Sequence, residues 1–251
     1  VMAAFYEPIK TRRTFEIIVD LIKEKIFSGE YQPEDRLPTE REMAKMVQVS
    51  RSAVREAYHT LELLEIVEIR KGTGGGTFIK EPSNRSITQS INDMIRLRRI
   101  SLKEMMETRL VLEKNLAELA LQHITDEDIE KLERCTKAAF DLLEKGNIAH
   151  QENIRFHICL AEAAKNTLLK LVYSSVMDLF QIVLKNFRAD FEMSRIIAEE
   201  HNEIIRLLKK RDKKALMSFL DQHIRGSNER LLNKSKKYPN LNIDKGVITV
   251  D

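Results

Sequence analysis

The sequence predicts a mainly α fold in two parts: an N-terminal winged helix-turn-helix, three helices plus a β-hairpin wing, joined to an all-α antiparallel bundle of about six or seven helices. Three observations carry this. Five of the eight glycines fall between Gly29 and Gly76, four of them in "KGTGGGTFIK". On either side of that cluster, "IVEIRK" and "TFIK" are short β-prone runs, the pattern of a hairpin. Residues 85 to 235, by contrast, hold only Gly146 and Gly226 and read as long amphipathic stretches. Pro82, Ser83 and Asn84 form the natural linker between these regimes. The winged part is thus assigned to residues 1–81, the helical part to 82–235, and a flexible tail to 236–251.

The first helix is "TFEIIVDLIKEKIFSG", whose apolar positions Ile17, Ile18, Leu21, Ile22 and Ile26 make a stripe that Gly29 closes. In "LPTEREMAKMV", Thr39 followed three residues later by Glu42 is a capping box, so a short second helix begins at Glu40. After the tight turn "QVS", Ser50 caps "RSAVREAYHTLELLE", with Val54, Ala57, Tyr58, Leu61 and Leu64 facing inward. Arg51, Ser52, Arg55 and His59 face away. Helix, helix, helix, hairpin is the order of a winged helix-turn-helix, in which the third helix enters the major groove and the wing tip meets the backbone. Arg51 and Arg55, one turn apart at the start of that helix, and Lys71 at the wing tip are where DNA contacts are expected.

Composition narrows the function classes without deciding among them. The net charge is +3, and the first 80 residues balance 13 Lys and Arg against 13 Asp and Glu, so only local cation placement can speak for a nucleic acid. No apolar run approaches the ~20 residues of a membrane span, and "VMAAFYEPIK" lacks the pattern of a signal peptide, which reads as a cytoplasmic chain. Cys135 and Cys159 lie in helical patterns without CxxC spacing and are expected to be buried thiols rather than a disulfide or zinc knuckle. The glycine cluster is not a phosphate-binding loop, because no Gly-Lys-Ser/Thr follows it and no helix starts there.

In the helical part, breaks near Ile100, Thr125, Gly146, Asn166, Arg188 and Arg211 give about seven segments. Three of them place a histidine on the face that should pack. Asn153 and His157 continue into Leu160, Ala161 and Ala164; His201 sits with Ile204, Ile205 and Leu208; His223 sits with Leu216, Phe219 and Leu220. Imidazole nitrogens are common ligands of divalent transition metals, and Asn153 offers a carbonyl oxygen. Three nitrogens and one oxygen leave coordination positions open, unlike a closed structural zinc site. His59, His123 and His150 share no such setting and read as surface residues. Arg109 falls inside the apolar stripe of Leu102, Met105, Met106, Leu112, Leu116 and Ala120.

The stretch "LPTEREMAKMVQVSRSAVREAYHTLELLEIVEIRKGTGGGTFIK" resembles the winged-helix domain of GntR-family transcription regulators. By that resemblance the DNA contacts are Arg41, Arg51 and Arg55, with Ser50, Ser52, Lys71 and Gly72 secondary. Glu65 departs from it, standing where the family usually has Gly. "RLVLE", "FHICLAEAAKN" and "HNEIIRLLKKRDKKALMSFLDQH" resemble the FCD effector domain of the FadR-like subfamily, with Lys165 at a usual Gly and Asn153 at a usual Asp. The resemblance implies a divalent metal (Zn, Ni or Mn) held by Asn153, His157, His201 and His223. It also implies a small carboxylate effector reached by Arg109, and makes residues 82–235 an effector-binding and dimerisation domain. Arg109 has an alternative, a permanent pair with Glu113 or another internal acid. The whole is expected to be a homodimeric, ligand-responsive regulator, a repressor before an activator, binding a palindromic double-stranded operator. Two other readings stand beside it: the same regulator with a metal-free pocket for a larger acyl or sugar-acid ligand, and a metal-dependent enzyme.

Overall fold

The computed structural model describes residues 12–81, 83–97, 99–185 and 191–237. The expected break at Arg188, the linker residue Pro82 and the tail beyond Lys237 lie outside the described residues. The chain divides into two compact units, Val1–Ser86 and Ile87–Asp251.

The first unit contains α1 (Thr14–Phe27), α2 (Glu40–Met46), α3 (Arg51–Leu63) and the antiparallel strands β1 (Val67–Arg70) and β2 (Gly76–Ile79). The register pairs Val67 with Ile79 and Arg70 with Gly76. Capping follows the expected chemistry. Thr39 accepts from the backbone of Glu42 while the Glu42 carboxylate returns to Thr39, and Ser50 accepts from the Ala53 amide. The core of this unit joins Ile18 and Ile22 of α1, Val54, Ala57, Tyr58 and Leu61 of α3, and Val67 and Ile79 of the hairpin. Tyr58 packs its ring there and donates its hydroxyl to Pro38 O at 2.6 Å, which ties α3 to the segment entering α2.

Two parts of the expected apolar stripes are overturned. On α1, Ile17 and Leu21 are 53% and 39% exposed while Val19 is buried, because the packed face is centred on Ile18 and Ile22. On α3, Leu64 is 47% exposed: the helix ends at Leu63, and Leu64 as its C-cap no longer follows the helical period. Directly after it, Glu65 adopts φ 59°, the left-handed geometry that glycine would take without strain, and its carboxylate pairs with Lys80.

The second unit is a helical bundle: α4 (Arg85–Arg96), α5 (Leu102–His123), α6 (Asp126–Glu144), α7 (His150–Ala163), α8 (Thr167–Lys185), α9 (Phe191–Lys210) and α10 (Lys213–Lys237). Helix α7 packs against α5, α6, α8 and α9, and α10 packs against α5 and α9. Its main core gathers Leu116, Ala120, Leu132, Phe156, Leu160, Tyr173, Ile204, Leu216 and Leu220 from six helices. Lys165, after α7, repeats the device seen at Glu65: its φ is 52°, and its ammonium bonds Asp128 at 2.7 Å.

Candidate functional site

The three histidines on packed helix faces converge. His157 on α7, His201 on α9 and His223 on α10 are each buried, at 3%, 0% and 2% exposure. The His201 and His223 Nε2 atoms lie 3.3 and 3.4 Å from His157 Nε2. Four ligands placed tetrahedrally at ~2.05 Å around a zinc ion are about 3.3 Å apart, so the two spacings from His157 match edges of such a set, and the three rings bring nitrogens within 4.8 Å of one another.

The outward nitrogens of two rings lie against acids. Glu113 on α5 holds its Oε1 against His157 Nδ1, and Glu200 on α9 lies with Oε2 2.6 Å from His223 Nδ1. A neutral imidazole that donates through Nδ1 presents a lone pair at Nε2. With that tautomer the His157 and His223 Nε2 atoms, 3.4 Å apart, would both offer lone pairs to a shared cation, while Arg109 Nη2 lies 3.4 Å from the same His157 nitrogen. His201 is oriented differently, by stacking on Phe156 at 3.8 Å with the rings 8° from parallel.

Electrostatics disfavour protonation of His157 and His201 and keep the two acids charged. Burial lowers the His157 pKa to about 4, against the opposing pull of Glu113, and it lowers His201 well below its ordinary value. For Glu113, burial pushes up, but the His157 ring and the Arg109 guanidinium bring it down to about 2. Glu200 is pushed up by burial as well and held below its ordinary value by His223 and Arg230.

Asn153 lies one turn before His157 on α7. Its side-chain nitrogen donates to Ser194 O at 3.1 Å, and Ser194 Oγ is itself fixed by the Ala149 amide at 3.0 Å. A carbonyl can only accept, so the amide must turn its NH2 toward Ser194, which leaves Asn153 Oδ1 buried without a protein partner. That orphaned oxygen is the group a cation would use.

Arg109 lies at 3% exposure on α5. Its Nε reaches Glu113 Oε2 at 3.4 Å, its Nη2 reaches His157 Nε2 at 3.4 Å, and its guanidinium carbon sits 4.5 Å from the Phe180 ring centroid. Glu113 is thus shared among Arg109, His157 and the Tyr173 hydroxyl, which donates to Oε2 at 2.7 Å. The expected pairing of Arg109 with Glu113 exists, but it is long, and Arg109 also lines a cavity of about 30 Å3, room for one or two waters. Arg109, Asn153 and His157 line it with Met177, Phe180, Met193 and Ile197. His150 lines it too, half-buried at the start of α7; reading it as a surface residue is corrected here. Its position on the first turn, with polar neighbours Gln151 and Glu152, hid it from a pattern search.

In the first unit, Arg41, Ser50, Arg51, Ser52, Arg55, Lys71 and Gly72 are all exposed. Ser50 and Ser52 share a hydroxyl contact of 3.0 Å at the N-terminus of α3. Arg55 is held by Glu40, its Nε and Nη2 reaching that carboxylate at 3.0 to 3.1 Å. At the wing tip Gly72 has φ 93°, and a Cβ at Gly75 would come 2.4 Å from Arg70 O, so the turn between the strands requires glycine.

A winged helix-turn-helix followed by a helical bundle defines a two-part DNA-binding regulator, and comparison with known proteins agrees. Residues 14–79 match the model of bacterial regulatory proteins of the gntR family, and residues 104–226 match the FCD domain. The HTH-type transcriptional regulator LutR of Bacillus subtilis is 31% identical over 71% of this chain and 83% of that protein. The Uxu operon transcriptional regulator of Escherichia coli is 29% identical, covering 88% of both chains. Among solved structures, Streptococcus agalactiae GntR superposes with a TM-score of 0.62 at 25% identity, covering 86% of this chain and 99% of that one. The chain belongs to the GntR family of bacterial regulatory proteins, with an FCD domain after its winged helix. It is a DNA-binding transcription regulator, not an enzyme. Among the described residues, no helix is long and apolar enough to cross a membrane.

Proposed function

We propose that this regulator senses a small carboxylate through a divalent transition metal, Zn, Ni or Mn, held by His157, His201, His223 and Asn153. The observation that carries the reading is the meeting of the His157 and His223 Nε2 atoms at 3.4 Å, each with its Nδ1 against a glutamate. The orphaned Asn153 oxygen fits the same donor set. A bound metal supplies a Lewis-acidic anchor for a carboxylate oxygen. Around it the chain does the rest: Glu113 and Glu200 hold the imidazole tautomers, Arg109 offers a guanidinium to the ligand's charge, and Phe180, Met193 and Ile197 exclude water.

In this reading residues 1–81 bind DNA and residues 82–235 bind effector and dimerise. Two chains carry their winged domains to the half-sites of a palindromic operator, which Arg41, Arg51, Arg55, Ser50, Ser52, Lys71 and Gly72 contact in the cytoplasm. Effector binding biases operator affinity by the coupling free energy, typically ~1 to 3 kcal/mol, in the sense of relieving repression.

Elemental analysis of the purified chain before and after chelation, beside His157→Ala, tests the reading. Near-stoichiometric metal in the wild type and its loss in the variant are expected. No metal after reconstitution with any of the three ions would sink it and leave the histidines as a polar lining.

A further inference from the structure

The two cysteines sit on different helices, 24 residues apart in sequence, yet their sulfurs are 3.5 Å apart. Cys135 on α6 is buried and Cys159 on α7 is half-buried. Both are free thiols as expected, with Cys159 half-buried rather than buried; the packing of α6 on α7 brings them together, which sequence spacing alone does not encode. Cys135 belongs to the edge of the bundle core at 7% exposure. Both residues nevertheless line an open cavity of about 600 Å3, together with Arg134, Arg155 and Glu162, which offers a small reagent a route toward the pair.

We propose that Cys135 and Cys159 are a modification site, a dithiol that closes to a reversible intramolecular disulfide on exposure to hydroperoxides. Their separation is one S–H···S contact, and closing it to the ~2.05 Å of an S–S bond requires a movement of about 1.5 Å shared between two side chains and two helices. The contact with Cys159, ahead of the Arg155 and Arg134 guanidinium groups, lowers the Cys135 thiol to about 7 against the opposing effect of burial, and either sulfur can be the donor in that contact. Attack can begin at either sulfur and ends in the same disulfide; when it begins at Cys135, two steps complete it. The Cys135 thiolate bonds the outer peroxide oxygen, the O–O bond breaks, and the alcohol leaves with a proton, giving a sulfenic acid. The Cys159 sulfur then bonds Cys135 and its proton leaves with the hydroxyl as water. Two electrons pass from the thiols to the peroxide, and a dithiol reductant reverses the change.

The consequence concerns α7. Cys159 lies two residues beyond His157, on the opposite side of that helix, so the bond staples to α6 the helix that carries His157 and Asn153. In a reducing compartment persistent disulfides are rare, and a pair so placed suits transient oxidation better than structural support.

The test uses the full chain, reduced, treated with a small excess of hydrogen peroxide, then alkylated and weighed intact. A loss of about 2 Da, with neither cysteine alkylated, no covalent dimer, and recovery in dithiothreitol, is expected. Closure should be at least about tenfold faster than in the urea-denatured chain, since only the folded chain holds the sulfurs together. Cys159→Ser should stop at a sulfenic acid that dimedone traps on Cys135. Two alkylatable thiols after treatment, an intermolecular disulfide, stepwise accumulation of sulfinic and sulfonic acids, or equal rates in folded and denatured chain would each overturn the proposal.

Discussion

Glu200 Oε2 lies 2.6 Å from Nδ1 of His223, and the same carboxylate faces Arg230 Nη2 at 3.3 to 3.4 Å. The acid thus fixes the His223 tautomer from one side while a cation holds the acid from the other. Glu200→Gln keeps the shape and removes the charge, so it should leave the helices intact and weaken zinc binding about 10- to 100-fold. Competition against a chromophoric chelator measures this. Unchanged affinity would mean that Glu200 is merely a partner of Arg230.

Arg55 makes its bonds to Glu40 in the DNA-free chain, so a residue expected to contact the operator is already oriented. Arg51→Ala and Arg55→Ala should each weaken operator binding about 10- to 100-fold and leave the oligomeric state unchanged. Glu40→Gln acts in the other direction on random DNA: with the acid neutralised, non-specific affinity should rise while discrimination between operator and random duplex narrows. Gel shifts on both duplexes at one salt concentration decide it, and an unaltered ratio would exclude an orienting role for Glu40.

Acid should destabilise the metal-free protein. His157 titrates near 6.5 when unfolded but at about 4 in the fold, so its contribution is present above pH 6.5 and is lost as the pH falls from 6.5 to 4. His201 is lowered too and acts in the same sense. Glu113, at about 2 against an ordinary 4.5, adds a further loss as the pH falls from 4.5 toward 2. Thermal melts of chelated protein between pH 7.5 and 4.5 should therefore show a falling Tm below pH 6.5. A flat profile would contradict the buried, neutral state of these rings.

Glu65 tests a contest between backbone strain and an ion pair. Its left-handed φ costs about 1 to 2 kcal/mol in a residue with a Cβ, whereas its half-buried pair with Lys80 contributes no more than about 1 kcal/mol. Glu65→Gly should then stabilise the winged unit by up to about 1 kcal/mol, partly offset by the greater entropy of the unfolded glycine. Calorimetry of the full chain would register the gain in the transition of that unit; a loss would show that the ion pair dominates.

Much of this architecture is legible in the sequence because it rests on local rules. Capping at Thr39 and Ser50, turn chemistry at Gly72 and the helical spacing of His157, His201 and His223 each depend on residues within one element. What pattern could not give are relations made by helix crossings. Glu200 is adjacent to His201 in sequence yet serves His223, and Glu113, one turn beyond Arg109, also serves His157 on another helix. Such acids look like any solvated carboxylate until the neighbouring helix is in place. The cysteine pair fails for the same reason, and Ile17 and Leu21 show that a stripe wider than its partner leaves its edge exposed.

The cavity beside His157 is too small for any organic acid as it stands, with Phe180 over Arg109 and Met193 and Ile197 on its wall. Admission of an effector must then wait for those side chains to part. Observed association rates would rise with ligand concentration only until they reach the opening frequency and then level off, whatever the ligand's charge. The response time of the regulator would be set by its own breathing, and a smaller side chain at Phe180 would quicken the response before it changed the selectivity.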